Sequence, residues 1–211
     1  MKKPELVFVV GCNAAGKSTF IRTRLNELQN FEVLMTDVYK GRTKQLARAA
    51  IAEGKNVIIE TVFNEASFAS LADEARNAGY QTSLIVLFLD NISQSNNRVA
   101  LRSKQQSGIT ISGNNVKTNF EESFKNVATY FFYFDRADFV YTGEGDVNQL
   151  MMSFNKSELI FYCSSNLSYP QKFAAFSFHK HRLGEYAYEI IIANNSYHKS
   201  HTAGNGKKFN F

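Results

Sequence analysis

The sequence predicts an α/β fold, a parallel sheet of about five strands covered by helices, with a small antiparallel appendage at the C-terminal end. Three observations predict it. Apolar runs at residues 6–10, 57–59 and 84–89 are continuous rather than alternating, as expected of strands covered on both faces. Segments with apolar residues at helical spacing separate them. A glycine-bearing turn, residues 11–16, stands between the first apolar run and the first helical pattern.

The elements follow in order. The first strand, 6–10, leads through the turn into a helix over 17–28, with Phe20, Ile21, Leu25 and Leu28 at helical spacing. Residues 31–36 read as a second strand ending at Asp37. A helix over 41–53 turns Leu46, Ala50 and Ile51 inward and stops at Gly54. The third strand, 56–60, ends at Glu60; a helix over 67–77 ends at Gly79 and leads to the fourth strand, 82–89. A basic helix over 93–106 carries Arg98, Arg102 and Lys104, and the polar segment 108–115 after it reads as flexible. Val116, Phe120, Phe124, Val127 and Phe131 make one face of a helix over 116–132, and 137–141 is the fifth strand. Beyond residue 155 the chain is rich in Tyr and Phe and carries all four histidines. Residues 159–163, 172–178 and 186–193 there read as short antiparallel strands, and 200–211 as a flexible tail. The domain organisation is therefore 1–154 and 155–211.

Composition sets the class. With 44% hydrophobic and 20% charged residues, the 211-residue chain can bury a core and is not of the disordered type. A net charge of +5 suits a phosphate-binding protein and a weak nucleic-acid binder equally. Two cysteines, Cys12 and Cys163, are too few for a disulfide framework and fit a reducing compartment. The apolar run after Met1-Lys2-Lys3 is about five residues, below the 7–15 of a secretory signal, and no run approaches membrane-spanning length. A soluble cytoplasmic protein without membrane partners is expected. The pairs His179/His181 and His198/His201 lack the cysteines or carboxylates of a zinc site and read as surface residues.

The turn carries the chemistry. Gly11-Cys12-Asn13-Ala14-Ala15-Gly16-Lys17-Ser18-Thr19 fits the Walker A pattern G-x-x-x-x-G-K-[ST] between strand and helix, and so predicts a P-loop NTPase-type sheet. Its glycines let successive N–H groups point inward at phosphate oxygens, and the following helix aims its positive dipole end at the same anion. Lys17 is placed for the β- and γ-phosphates, and the Ser18 hydroxyl for Mg²⁺. The ligand is ATP or GTP; no base-specificity motif separates them. Cys12 and Ala14 stand where proline and glycine are frequent, and Cys12, near a helix N-terminus, is a candidate for oxidation through a lowered pKa.

Ligands of parallel sheets lie beyond the strands' carboxyl ends, where Asp37 and Glu60 both fall. Asp37 reads as the base that accepts a proton from a substrate hydroxyl, or as a helix cap. Glu60 with Thr61 reads as a hydrogen-bonding partner of the acceptor or of a Mg²⁺-bound water. Arg98 and Arg102, four apart on one helix face, read as a lid that closes over the phosphates or as a solvated basic face.

The ordered set Gly11-x4-Gly16-Lys17-Ser18-Thr19, Thr36-Asp37-Val38-Tyr39-Lys40, Ile58-Ile59-Glu60-Thr61 and Asn97-Arg98-x3-Arg102 resembles the zeta-toxin family of P-loop kinases over residues 4–145. By that resemblance Asp37 is the general base, Lys40 its basic neighbour, Glu60 a substrate-contacting acid and Arg98 a lid arginine. It implies a kinase that phosphorylates a sugar hydroxyl of UDP-N-acetylglucosamine and is held inactive by a small antitoxin. The sequence departs from the family in lacking a second clear lid arginine beyond Arg102, where only Lys104 and Lys117 follow. It also lacks a histidine-proline after Asp37. A kinase acting on a polynucleotide or nucleoside, and a nucleotide-gated interaction module without catalysis, are the competing readings.

Overall fold

β1 (Glu5–Val10) is buried along its whole length and lies in the middle of the sheet. Leu6, Phe8 and Val10 face one apolar cluster, while Val7 and Val9 face the other. That two-sided burial is why the run is continuous in sequence. The computed structural model describes residues 3–105, 112–143 and 148–199.

β1 pairs in parallel with β3 (Asn56–Thr61) and with β4 (Gln81–Phe88), β3 with β2 (Phe31–Met35), and β4 with β5 (Arg136–Tyr141). These five parallel strands are those the sequence predicts. β6 (Gln149–Asn155), β7 (Glu158–Tyr162) and β8 (Tyr197–His198) then continue the same sheet antiparallel, in the order β2-β3-β1-β4-β5-β6-β7-β8. The division expected at 154/155 falls at the end of β6. β6 was not foreseen. One buried carboxylate sits at its junction with β5: Asp138 pairs in register with Ser153, accepts its hydroxyl at 2.5 Å and accepts Arg136 Nε at 2.7 Å.

The helices are α1 (Lys17–Arg22), α2 (Thr36–Tyr39), α3 (Thr43–Ala52), α4 (Ala69–Asn77), α5 (Ile92–Gln105), α6 (Gly113–Tyr130), α7 (Tyr169–His179) and α8 (Glu185–Ile192). The helix expected over 17–28 is regular only to Arg22. Beyond it, Thr23 Oγ1 and Arg24 Nη1 donate to carbonyls of the preceding turn, and Leu28 N–H is shared between Arg24 and Leu25 oxygens. Side-chain donors compete there with the helical ladder.

The strands expected at 172–178 and 186–193 are instead the helices α7 and α8. Their aromatic and β-branched content suggested strands, but burial follows the helical period: Tyr169, Phe173, Ala174 and Ser177 in α7, Ala187 and Ile191 in α8. Pro170 in the first turn of α7 suits a helix start. Asp90, just past β4, caps that helix from a distance, accepting the N–H groups of Ser168 at 2.6 Å and Tyr169 at 2.7 Å. Phe173 packs on Phe131, Phe139 and Phe154 in the core, and Tyr169 stacks on Phe88 at 4.2 Å. Part of the segment 108–115, the tail 200–211 and His201 lie outside the described residues.

Candidate active site

The loop between β1 and α1 is shaped by two glycines. Gly11 has φ 151°, and a Cβ there would stand 2.1 Å from the Leu87 carbonyl oxygen on β4, so no larger residue fits. Gly16, at φ 89°, turns the chain into α1. Ala14 also lies at positive φ, 58°, where a Cβ is unfavourable.

The outward carbonyls of this loop are held one after another. Lys17 Nζ donates to the oxygens of Gly11 (3.0 Å) and Cys12 (3.1 Å), Ser95 Oγ to that of Asn13 (2.8 Å) and Thr142 Oγ1 to that of Ala15 (3.0 Å). Arg98 Nη1 reaches the Ala14 oxygen at 3.4 Å, and its Nη2 donates to the Thr142 carbonyl. Successive carbonyls tied on one side suit N–H groups turned to the other, which is the arrangement of an anion nest.

Ser18 lies in the first turn of α1, and its hydroxyl donates to Glu60, 3.1 and 3.2 Å from the two carboxylate oxygens. Strand order makes the contact: β3 is β1's neighbour, with Val9 opposite Glu60. Lys17 and Glu60 are both buried. Burial pulls the Lys17 ammonium below its usual value, against the raising influence of Glu60, Cys12 and Asp37; Arg102 pushes it further down. Burial likewise pushes Glu60 up, against Lys17 and the Ser18 hydrogen bond. Burial also raises the Cys12 thiol, outweighing Lys17, which is the opposite of the lowered pKa its place near a helix N-terminus suggests.

Asp37 does not end β2; it lies in the first turn of the four-residue α2 and is exposed. It is not the helix cap, since Met35 holds that position. Its charge acts on both Lys17 and Glu60, so it lies within electrostatic reach of the pair. Lys40, exposed and at φ 50°, follows α2. Thr61 is buried, and its hydroxyl oxygen accepts the N–H of Phe63 at 3.1 Å, so it shapes the turn after β3. The two arginines of α5 divide. Arg98 is tied to the loop and to the end of β5, whereas the charge of Arg102 acts on Lys17 and Glu60. Thr19 is exposed and Ala15 buried.

Ser95, Thr142, Asn64 and Asn119 escaped the sequence reading. Asn119 Nδ2 donates to Asn13 Oδ1 at 2.8 Å, and Asn64 Nδ2 donates to Asn119 Oδ1 at 2.9 Å. A signal existed for Asn119, a polar residue one turn after buried Val116 and beside Phe120, on the inward stripe of α6.

Hard oxygen donors in the pair Ser18–Glu60, within 3.2 Å of each other beside a buried lysine, fit Mg²⁺, which is held by one or two carboxylates together with phosphates. No helix of the described residues is long and apolar enough to cross a membrane.

Comparison with known proteins gives the family and the fold. The zeta toxin family model matches residues 41–147, just over half of the chain. Among solved structures, the AvrRxo1-ORF1:AvrRxo1-ORF2 complex with sulphate ions is 11% identical, with a TM-score of 0.57 over 91% of this chain and 75% of that one. The same complex with ATP gives 11% identity and a TM-score of 0.56 over the same shares. A structure from the PezAT chromosomal toxin–antitoxin system of Streptococcus pneumoniae is 14% identical over 70% of this chain and 72% of that one, with a TM-score of 0.48. No curated protein matches the sequence. The structural likeness is one of fold, and the family match runs through β3 and α5, where Glu60, Arg98 and Arg102 lie. On these grounds the chain has a P-loop kinase fold and belongs to the zeta toxin family.

Proposed function

We propose that this P-loop kinase transfers the terminal phosphoryl group of ATP to a hydroxyl group of a small molecule. One observation carries the reading: Lys17, Ser18 and Glu60 meet beside the phosphate loop, with the charge of the exposed Asp37 directed at the same spot. The loop 11–16 and the α1 N-terminus hold the phosphates, and Lys17, drawn from its two carbonyls, neutralises charge on the transferring group. Ser18 and Glu60 would hold Mg²⁺, which would supply positive charge to the phosphate oxygens. Asp37 accepts the proton of the acceptor hydroxyl as its oxygen bonds to phosphorus; the bond from phosphorus to the bridging oxygen breaks, and the nucleoside diphosphate leaves. Arg102 adds positive charge from the lid, Arg98 anchors that lid on the loop, and Lys40 and Thr61 border the acceptor side. Residues 1–154 carry this chemistry, with 155–211 as the appendage.

The family favours a sugar nucleotide such as UDP-N-acetylglucosamine as acceptor, a cytoplasmic setting and an antitoxin that covers the site. ATP in one fold neighbour supports the choice of nucleotide. The experiment is to incubate the purified protein with γ-labelled ATP and a panel of sugar nucleotides, nucleosides and 5′-hydroxyl oligonucleotides. Label on a small molecule is the expected result. Label on the oligonucleotides alone points to a polynucleotide kinase, and nucleotide binding without any transfer points to a gated interaction module.

A further inference from the structure

Three asparagines from three separate elements cross the mouth of the phosphate loop. Asn64 lies in the turn after β3, Asn119 lies on α6, and Asn13 stands between the two loop glycines. Their carboxamides form a directional ladder, Asn64 Nδ2 to Asn119 Oδ1 at 2.9 Å and Asn119 Nδ2 to Asn13 Oδ1 at 2.8 Å. An amide chain of this kind has a donor end and an acceptor end. The donor end is Asn13 Nδ2, on a half-buried residue of the loop, with no hydrogen bond to another described residue. A phosphate can only accept, so this polarity suits a terminal phosphate there.

The turn that delivers Asn64 is itself strained. Phe63 has φ 60° although its ring is fully buried, a conformation that bulky residues avoid. It is held by its N–H to Thr61 Oγ1 at 3.1 Å, by Asn126 Nδ2 to its carbonyl at 3.0 Å, and by edge contacts of its ring with Phe8 and Tyr130. Strain kept by so many partners marks a place where the backbone direction is in use. The side chain set by that direction is the Asn64 amide, one residue further on.

We infer that Asn64 and Asn119 are positioning residues that keep the N–H₂ end of Asn13 directed at the terminal phosphate, adding to the backbone cradle a donor that distinguishes a nucleoside triphosphate from a diphosphate. The inference rests on the phosphotransferase reading and deepens it. Once the phosphoryl group has gone to the acceptor, the donor has nothing to hold, and the spent diphosphate is released more readily.

The test is calorimetric titration of the full chain with Mg²⁺–ATP and Mg²⁺–ADP. Asn119→Ala should weaken ATP about tenfold and leave ADP within about twofold, since a hydrogen bond to a charged group is lost only for the triphosphate. Asn119→Asp should weaken ATP further. Its carboxylate still accepts from Asn64, but it turns the Asn13 amide round and adds negative charge beside the phosphates. Asn64→Ala should show a smaller loss, and the double variant Asn64→Ala/Asn119→Ala no more than Asn119→Ala alone, because one residue acts through the other. Equal losses for ATP and ADP, which loosening of the loop would give, overturn the inference, as does no change in either. A wild-type protein that binds neither nucleotide overturns the kinase reading instead, so the two failures are distinguishable.

Discussion

The parallel half of the sheet and its antiparallel extension use the same strand geometry for opposite ends. In β1 to β5 the polar residues collect past the carboxyl ends: the loop after β1, Asp37 after β2, Glu60 at the end of β3 and Thr142 after β5. There they leave buried charge, with Lys17 held low and Glu60 held high by desolvation. In β6 to β8 with α7 and α8, polar groups pair with one another across the fold. Tyr162 donates to Asn194, Asn194 Oδ1 accepts the Ser165 N–H, and Asp90 caps α7. One half stores unfavourable electrostatics for a ligand to relieve; the other spends its polar groups on closing the fold.

Substitutions on the two sides should therefore part cleanly. The largest effect belongs to the crevice: Asp37→Asn should lower phosphoryl transfer by about 10²–10⁴-fold while nucleotide affinity, read by titration, stays near wild type. Full transfer by that variant would remove Asp37 from the base role. Lys17→Ala in the same assay should lose nucleotide binding itself. In the extension the readout is stability. Phe173→Ala, which empties a site walled by Phe131, Phe139 and Phe154, should cost about 3–5 kcal/mol in urea unfolding without a change in the ATP-to-ADP affinity ratio. A change in that ratio would show that the two halves are coupled. The smallest effect is expected at Asp90. Asp90→Ala removes a helix cap and should lower stability by about 0.5–2 kcal/mol, a shift of a few degrees in melting temperature.

The same contrast explains what could be read from the chain. Strands buried on both faces announce themselves as unbroken apolar runs, and the loop at 11–16 has the Walker A spacing, so β1, β3 and β4 and the turn between β1 and α1 were legible. The extension was not, because Phe173, Phe176 and Ile190 to Ile192 carry side chains that favour strands, and only tertiary packing made those segments helical. Side-chain partners far apart in sequence were also invisible. Ser95 reaches Asn13 across 82 positions and Thr142 reaches Ala15 across 127. Nothing local marks such pairs. The reading of Arg98 shows the limit within one helix: its spacing from Arg102 put both on one face, but not which of the two would be tied to backbone oxygens.

The carboxylate of Asp138 has a consequence for how the sheet is assembled. Its partner Ser153 sits directly opposite it on β6, and a slip of one position would swing that hydroxyl to the opposite face and leave the buried carboxylate with Arg136 alone. The pairing thus proofreads itself: among neighbouring alignments of the first antiparallel strand, the native one gives this carboxylate the Ser153 hydroxyl as well as Arg136.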